Sequence, residues 1–539
     1  MQEVVFLRKR LISFILVICF TFIAVVGKIA YINVNQSHYT SLTTNTVSLT
    51  LDSKRGTFYD RYFSKLTDST KSYVAIIKPD EKCISELNQF FDEDEIESVV
   101  EQLSKGFPII RRVTKKITST ENIKVISVYD RYSDHQILAH TLGVYSENAN
   151  NLSGLEKCYN DWMTMESTLK IKYSVDALGR MLAGDSGKLL SVNYDSRRGV
   201  KLTVDKNIQK ICETAADNKN DFVKGSIVVL DVATSEILAA VSRPNIDPNN
   251  LTQSLNDTNA PFLNRSFSEY TVGSVFKLLI SACAIENHMD TIEYECTGSI
   301  QIDDVVFGCN NKTGHAVMTL ESALEKSCNT YFINLGQQIG AEKLLDTAQK
   351  FGFGMETPLA DGFHSKAGNL PTYASLKSSG SLANFSFGQG DLLATPLQIA
   401  NMVACIANNG VYNQPKLIEC LIDDNGGVRQ VQTAGETQKE IMTQETAKKL
   451  QNIMYQTVEN GTGKNAKPDN LSAGGKTATA QTGWLDDTGK ETLHSYFAGF
   501  YPVENPKYAI VVFNEDGKSG SSDCCPIFKE IADQLYMLG

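Results

Sequence analysis

The stretch that decides the fold is EYTVGSVFKLLISACAIEN, from Glu269 to Asn287. It predicts a turn at Gly273 and then, from its apolar run, a helix that begins at Ser274. Lys277 follows Ser274 by three residues, so the two side chains share one face of that helix. A serine hydroxyl is a weak nucleophile until a base removes its proton, and a desolvated lysine of lowered pKa can be that base. The stretch therefore predicts a serine nucleophile paired with a lysine.

Ser-x-x-Lys alone is a weak motif. Ser167-Thr-Leu-Lys170 matches it equally well, without other chemistry around it. A serine at a helix start is also an ordinary N-cap, which is the structural alternative for Ser274. The assignment of Ser274 therefore depends on what else the chain carries.

A second element is Ser327-Cys328-Asn329. Its hydroxyl can relay a proton and its amide can hold a substrate carbonyl. Ser-x-Asn recurs by chance at Ser146 and Ser254, so this triplet is also weak by itself.

The third element is AGGKTATAQTG, in which Lys476-Thr477-Ala478-Thr479 enters an alternating strand. A lysine and hydroxyl groups there suit a substrate carboxylate, and the small residues let a substrate backbone lie along the strand. Lys312-Thr313-Gly314 competes with it, but it lies in an Asn-rich loop before the second element and predicts a turn. The order Ser274, Ser327, Lys476 is the informative fact.

Length and charge limit the function. The chain has 539 residues, with 51 basic and 62 acidic side chains, so the net charge of −11 argues against nucleic acid as a partner. A composition of 42% hydrophobic and 21% charged residues is that of a globular protein. The length predicts two or three domains.

The N-terminus predicts a membrane anchor. Residues 1–10 form a basic cytoplasmic tail, and 11–34 form an apolar signal anchor just long enough to span a bilayer. A cleaved signal peptide is the alternative, although the apolar run is long and no cleavage site is evident. The basic cluster before the span predicts a cytoplasmic N-terminus, and hence a single-pass protein of the cell membrane with an extracytoplasmic catalytic domain.

Two regions follow the anchor. Residues 35–197 are polar and mixed, and predict an α+β spacer or dimerisation-type domain without chemistry of its own. Residues 198–539 alternate helices and strands on the scale of one large α/β domain.

The chain has twelve cysteines, and their spacing predicts no clear pattern of disulfide bonds. Cys19 lies in the predicted span, so an odd number remains outside it, and most are predicted to be buried, reduced thiols. Cys296 and Cys309 flank a predicted hairpin. No CxxC or HExxH spacing occurs, so the sequence predicts no redox pair and no metal site.

The ordered set Ser274, Ser327, Lys476 is that of penicillin-binding proteins and class A β-lactamases. Further stretches extend the similarity through the chain after the anchor: RGTFYDR (55–61), LTVD (202–205), SRPNIDPN (242–249), SFGQG (386–390), TPLQIA (395–400), IANNG (406–410) and HSYFAGFYP (494–502). The sequence thus resembles a class B, monofunctional penicillin-binding protein of a Gram-positive bacterium.

The resemblance implies a transpeptidase domain with the serine β-lactamase-like fold, in which helices flank an antiparallel sheet. It implies a peptidoglycan D,D-transpeptidase that cross-links stem peptides ending in D-Ala-D-Ala through an acyl-serine, without a cofactor or metal. It also implies acylation by β-lactam antibiotics. A polytopic membrane glycan polymerase is the implied partner.

Residue roles follow from the same resemblance. Ser274 is the expected nucleophile, Lys277 its base, Ser327 the proton shuttle and Asn329 the holder of the substrate amide. Lys476, Thr477 and Thr479 are expected to bind the terminal carboxylate. The backbone N–H groups of Ser274 and Thr479 are expected to form the oxyanion hole.

Two departures from the family pattern are expected to affect the rate of acylation and the affinity for β-lactams. Ala478 replaces the glycine of the usual Lys-Thr-Gly triplet, and Val272 replaces a proline before Gly-Ser. The alternatives are a catalytically weak scaffold of the wall-synthesis complex, a β-lactamase and a β-lactam sensor.

Overall fold

The computed structural model describes residues 2–39, 45–113, 118–146, 152–182, 184–430, 438–486 and 488–539. The helices within these ranges are α1 (Gln2–Tyr39), α2 (Ile84–Leu87), α3 (Glu93–Leu103), α4 (Ala139–Leu142), α5 (Gly154–Cys158), α6 (Asn160–Met163), α7 (Lys206–Asp217), α8 (Lys277–Glu286), α9 (Leu320–Glu325), α10 (Asn329–Ile339), α11 (Ala341–Lys350), α12 (Ser379–Ser386), α13 (Pro396–Ala407), α14 (Gln444–Glu459) and α15 (Cys525–Leu538).

The strands in the same ranges are β1 (Thr46–Ser53), β2 (Thr57–Tyr59), β3 (Thr70–Ile77), β4 (Ile109–Val113), β5 (Ile123–Asp130), β6 (Thr168–Ser174), β7 (Lys188–Val192), β8 (Gly199–Leu202), β9 (Gly225–Asp231), β10 (Ile237–Arg243), β11 (Tyr270–Thr271), β12 (Tyr294–Cys296), β13 (Ser299–Ile302), β14 (Val305–Gly308), β15 (Ala316–Met318), β16 (Thr357–Ala360), β17 (Phe363–Ser365), β18 (Leu393–Ala394), β19 (Val411–Tyr412), β20 (Ile418–Ile422), β21 (Val428–Gln430), β22 (Lys439–Glu440), β23 (Gly474–Leu485), β24 (Glu491–Tyr501) and β25 (Tyr508–Asn514).

Helix α1 carries the predicted membrane anchor. Its segment Arg10–Tyr31 is long and apolar enough to cross a bilayer, and none of that segment is buried in the protein. The helix is therefore a candidate single span, and its orientation stays a prediction.

The chain divides into two compact units that are discontinuous in sequence. The first comprises Met1–Lys54, Ser72–Val128 and Ser167–Tyr194, and the second comprises Arg55–Lys71, Tyr129–Glu166 and Asp195–Gly539. The first unit contains the three-stranded sheets β1-β6-β7 and β4-β3-β5. Its charged helix α3 buries Val99 and Leu103 and turns its acidic residues outward. The domain limits of 35–197 and 198–539 stay a prediction.

A five-stranded antiparallel sheet in the order β10-β9-β25-β24-β23 organises the second unit. Alternate residues of β25 enter different cores, because successive side chains of a strand point to opposite faces. Val511 and Phe513 join the core that includes α8 and α13. Ile510 and Val512 join the core that includes α7 and α15. The expected antiparallel sheet flanked by helices is confirmed.

A buried ion-pair network ties the early segments of the second unit together. Glu156, whose side chain is 0% exposed, lies 2.6 Å from Arg131 and 3.1 Å from Arg55. Arg131 also pairs with Asp68 at 2.6 Å. Burial of four charged groups is tolerated because each has an opposite partner, and loss of one partner leaves an uncompensated charge.

Substitution Glu156→Gln keeps the shape and removes the charge shared by two arginines. We expect it to destabilise the second unit by about 3–5 kcal/mol, which is the usual cost of a broken buried pair. The measurement is the thermal midpoint of the full chain in detergent. Glu445→Gln, at an exposed site on α14, is the control and should leave the midpoint nearly unchanged. Equal midpoints for the two variants would contradict the network's role.

Candidate functional site

Ser274 lies in the turn before α8, three residues ahead of the start of the α-helix, whereas the sequence predicts it at the first helical position. A short 3-10 turn, Gly273–Phe276, leads into α8, whose first residue is Lys277. Val275, Phe276 and nearly all of α8 are buried, whereas Ser274 is partly exposed. The apolar residues thus anchor the turn in the core and leave the hydroxyl accessible.

Lys277 is 0% exposed and bonds to neutral oxygens. Its Nζ donates to the Ser327 carbonyl oxygen at 2.9 Å, to Ser327 Oγ at 3.3 Å and to Asn329 Oδ1 at 2.6 Å. Within the described ranges, no carboxylate forms an ion pair with it. The structure therefore brings together Lys277, Ser327 and Asn329 beside the turn that carries Ser274.

The environment of Lys277 favours the neutral amine. Burial lowers the pKa of Lys277 to about 7, against the opposing influence of the Cys328 and Cys309 thiols. Desolvation penalises the ammonium form, and no carboxylate in the described part of the chain offsets that penalty. A large fraction of the amine is consequently free to accept a proton at neutral pH.

The turn from Ser327 to Asn329 connects α9 to α10. Ser327 is in the left-handed region, with φ of 56°, which is costly for a residue other than glycine. The Ser327 N–H donates to Leu324 O and the Cys328 N–H to Ala323 O, at 3.2 and 2.8 Å. These bonds close the end of α9 and aim the Ser327 carbonyl and hydroxyl at Lys277.

Lys476 is a second fully buried lysine near the first. It lies on β23, an edge strand of the sheet, and its Nζ donates to the Thr477 carbonyl oxygen at 2.8 Å. Burial, and then the charge of Lys277, lower the pKa of Lys476 well below its usual value. Two buried lysines that repel each other do not both hold a proton easily, so an incoming anion stabilises the charged form of one of them.

The predicted threonines lie on the same edge strand. Thr477 is buried and its Oγ1 donates to Thr462 Oγ1 at 2.7 Å, while Thr479 is exposed. An edge strand presents unpaired backbone N–H and C=O groups, which can pair with an extended peptide. Strand β23 therefore offers a binding edge beside Ser274.

The nucleophile turn packs directly against this edge. Gly273 has φ of 66°, and a Cβ built on it would lie 2.9 Å from Ala480 Cβ. Its N–H donates to Gly388 O at 2.8 Å, so the SFGQG stretch supports the turn. Close approach of these backbones fixes the distance between Ser274 and β23.

Ala478, the departure from the usual triplet, is accommodated in the protein. Its side chain is 2% exposed and belongs to the same buried cluster as Val272 and Val275. Its backbone is covered by Gly520, where a Cβ would lie 2.7 Å from Ala478 O. The methyl group thus points into the core.

The two competing motifs, Ser167-Thr-Leu-Lys170 and Lys312-Thr313-Gly314, do not lie in surroundings of this kind. Ser167 and Lys170 lie at the start of strand β6, where they cannot share a helix face, and Ser167 Oγ donates to Asn193 O. Lys312-Thr313-Gly314 forms the predicted turn, with the Gly314 N–H donating to Asn311 O at 3.2 Å. The residue roles themselves stay predictions.

Comparison with known proteins identifies the family to which the second unit belongs. A family model described as the penicillin-binding protein transpeptidase domain matches residues 225–533. The chain belongs to the penicillin-binding protein transpeptidase family. Its relatives identify it as a class B penicillin-binding protein, as predicted, and the Gram-positive source stays a prediction.

Two curated relatives show how far the similarity extends. Stage V sporulation protein D of Bacillus subtilis is 28% identical over 99% of this chain and 86% of its own length. Peptidoglycan D,D-transpeptidase PbpA of Mycolicibacterium smegmatis is 31% identical over 60% of this chain and 68% of its own length.

Solved structures share the fold. A chain from a peptidoglycan synthase complex superposes with a TM-score of 0.68 and 22% identity, over 98% of this chain and 99% of that one. The D,D-transpeptidase domain of a peptidoglycan glycosyltransferase from Eggerthella lenta gives a TM-score of 0.64 and 23% identity, over 90% of this chain and 99% of that one.

Gly388 provides a test of how the nucleophile is positioned. A Cβ at Gly388 would lie 2.0 Å from the Gly273 carbonyl oxygen, so Gly388→Ala must displace the turn. Because small misplacements at a reacting centre cost up to about 100-fold, we expect labelling by a fluorescent penicillin to slow by roughly 10- to 100-fold. Gly390→Ala is the matched control, since Gly390 also has positive φ but its Cβ would meet only Asn384. If a fluorescent penicillin labels both variants at the same rate, Gly388 does not position the turn that carries Ser274.

Proposed function

We propose that this protein is a peptidoglycan D,D-transpeptidase that works through an acyl-serine on Ser274. The observation that carries the proposal is the buried Lys277, held by Ser327 and Asn329 at 2.6–3.3 Å and placed one helical turn from Ser274. The substrate class is a stem peptide that ends in D-Ala-D-Ala. Family membership and the names of the curated relatives support this activity.

The first half-reaction forms the acyl-enzyme. Ser274 Oγ attacks the carbonyl carbon of the penultimate D-Ala while its proton passes to the neutral Lys277 amine. The backbone N–H groups of Ser274 and Thr479 stabilise the oxyanion, a contribution usually worth 10²- to 10³-fold in rate per donor. The tetrahedral intermediate then breaks its C–N bond, and the leaving amine of D-Ala receives a proton through Ser327.

The second half-reaction transfers the acyl group. An amine of a neighbouring stem peptide attacks the ester on Ser274, and its proton returns through the same Lys277 and Ser327 groups. The peptide cross-link forms as Ser274 is released. The proposed steps need no cofactor, because Ser274, Lys277 and Ser327 supply the proton donors and acceptors that these steps use.

Substrate binding uses the β23 edge. The terminal carboxylate lies against Lys476 and the hydroxyls of Thr477 and Thr479. Its negative charge offsets the positive charge of the two buried lysines. Asn329 holds the side-chain amide of the stem peptide. A β-lactam carries a carboxylate and a reactive amide in the same relation, and so acylates Ser274.

The membrane anchor sets the location. The basic residues before the span favour a cytoplasmic N-terminus, so the chain after the span lies on the outer side of the cell membrane, where peptidoglycan is assembled. A polytopic membrane glycan polymerase is the proposed partner. Structural neighbours come from a peptidoglycan synthase complex and from a complex of PBP2 with MreC of Helicobacter pylori, which supports assembly with other proteins.

Intact-protein mass spectrometry after incubation with penicillin tests the nucleophile. The full chain in detergent should gain the mass of one penicillin, and Ser274→Ala should gain none. Ser167→Ala, in the competing Ser-x-x-Lys motif, is the matched control and should retain the adduct. Because acylation needs an accessible, activated hydroxyl, the adduct on Ser274 alone is the expected result.

Other outcomes identify the alternatives. An adduct that disappears while the drug is hydrolysed indicates a β-lactamase. Absence of an adduct in the wild-type chain indicates a scaffold, or a site impaired by Ala478, and Ala478→Gly separates the two by restoring acylation only in the second case. Either result contradicts the proposal for the native chain.

The pH dependence of acylation tests Lys277 as the base. The neutral amine is the active form and its pKa is about 7, so the acylation rate constant should rise about tenfold per pH unit below 7 and level off above it. Lys277→Arg should abolish acylation, since arginine stays protonated. Lys476→Arg should lower the rate without raising the midpoint, because a fixed positive charge near Lys277 disfavours its ammonium form. A rate constant that does not vary between pH 5.5 and 8.5 is incompatible with this base.

A further inference from the structure

Three cysteines and a histidine converge beside the Ser327 turn. Cys296 ends β12, Cys309 follows β14, His315 precedes β15, and Cys328 is the residue before α10. Their four ligating atoms, three Sγ and one histidine ring nitrogen, all lie within 4.8 Å of one another. Four donors of these types in one place form the Cys₃His set found at structural zinc sites.

The separations agree with a tetrahedron around one metal ion. Zinc bonds of about 2.3 Å to sulfur and about 2.0–2.1 Å to nitrogen imply edges of roughly 3.8 Å between sulfurs and roughly 3.5 Å between sulfur and nitrogen. Cys309 Sγ and Cys328 Sγ are 3.8 Å apart. His315 Nδ1 lies 3.6 Å from Cys296 Sγ and 3.5 Å from Cys309 Sγ. Three of the six donor–donor distances thus match the edges of the tetrahedron, and the other three are no longer than 4.8 Å.

Backbone contacts hold the donors in place. Strand β12 pairs with β15, which brings Cys296 opposite Ala316, the residue after His315. The His315 N–H donates to Cys296 O at 3.0 Å, and the Cys309 N–H donates to Gly298 O at 2.9 Å. Gly314 has φ of 83°, and a Cβ there would lie 2.1 Å from Cys296 O, so the two chain segments cross as closely as glycine permits.

The surroundings suit thiolates bound to a cation. The three cysteines are 0–2% exposed, so competing water is excluded. The Thr330 hydroxyl lies 3.4 Å from Cys328 Sγ and can donate to it, as groups around metal ligands commonly do. A disulfide is the competing arrangement, and its S–S bond of about 2.05 Å is far shorter than the 3.8 Å separation of Cys309 and Cys328.

We propose that Cys296, Cys309, His315 and Cys328 bind one structural Zn²⁺. The three thiols release their protons to solvent on binding, and neutral His315 supplies its Nδ1 lone pair. Four protein ligands close the coordination sphere, so the ion performs no chemistry on substrate. The existence of the metal site does not depend on the proposed transpeptidase activity, because its four ligands are not catalytic groups.

The ion positions the neighbouring turn. Cys328 stands between Ser327 and Asn329, the two residues that hold Lys277. A bond from the metal to Cys328 restrains the backbone on both sides of it, including the left-handed conformation of Ser327. The four ligands are thus positioning residues, which keep the acceptors of Lys277 in place.

The sequence alone does not predict this metal site. The ligands follow the pattern C-x₁₂-C-x₅-H-x₁₂-C, which lacks the closely spaced pairs of common zinc motifs. The expectation of no metal rested on that absence of short spacings, and hairpin folding is what brings the four residues together.

Metal analysis of the full chain, purified in detergent without chelators, tests the proposal. We expect one zinc per chain by plasma mass spectrometry. Cys309→Ser and His315→Ala should each lower the zinc content at least fivefold. Cys405→Ser and His364→Ala are the matched controls, since Cys405 is an equally buried thiol on α13 and His364 lies on β17, away from the cluster.

Cobalt binding to the wild-type chain keeps the test decisive if a variant fails to fold. After chelation and reduction, added Co²⁺ should produce the charge-transfer band of thiolate ligands and the visible bands of tetrahedral coordination. Acylation by penicillin should slow at least tenfold on chelation and recover with Zn²⁺ but not with Mg²⁺, because a hard cation does not bind thiolates.

Two results overturn the proposal. One is a reduced, folded chain that binds neither Zn²⁺ nor Co²⁺. The other is a chain that holds a Cys309–Cys328 disulfide by peptide mass spectrometry and takes up no metal after that bond is reduced. Because metal content is measured without acylation, a catalytically inactive chain that holds one zinc would refute the proposed function and leave the metal site standing.

Discussion

The Lys277 amine is buried without a carboxylate partner among the described residues, and this is the constraint on which the rest of the site depends. Removing an ammonium from water is costly unless polar groups replace the solvent. Here the Ser327 carbonyl, the Ser327 hydroxyl and the Asn329 amide oxygen replace it. These neutral acceptors stabilise the charged form less than a carboxylate would, and the amine consequently titrates near neutral pH. Helix α8 and the turn before α10 must therefore stay in contact for the chemistry to exist.

The sheet determines where the substrate edge lies. Strand β23 is hydrogen-bonded to β24 on one side only, so its other side is available to an extended peptide. Helices cover both faces of the sheet, with α13 on one face and α7 and α15 on the other. Burial on both sides makes the edge rigid, and a rigid edge can hold a peptide within the short distances that acyl transfer requires.

The turn that carries Ser327 is the part of the site most in need of outside support. Its left-handed residue costs free energy, and backbone hydrogen bonds from Ser327 and Cys328 to α9 hold the chain in this conformation. The metal that we propose at Cys328 would add a further restraint and would join the turn to the hairpins that carry Cys296 and Cys309. In that arrangement the thiols serve the stability of the site and take no part in its chemistry.

The sequence by itself determined those elements that a short run of neighbouring residues specifies. Turn and helix signals located Ser274 and Lys277, hydropathy located the candidate span, and the alternation in AGGKTATAQTG located β23. Only the tertiary structure decided which of several short motifs come together in space, because Ser167 and Lys170 match the pattern as well as Ser274 and Lys277 but lie at the start of a strand. It also decided the surroundings of Lys476 and the Cys₃His cluster. Both arise from residues far apart in the chain, and their separation in space depends on strand pairing and helix packing, which no local pattern of residues encodes.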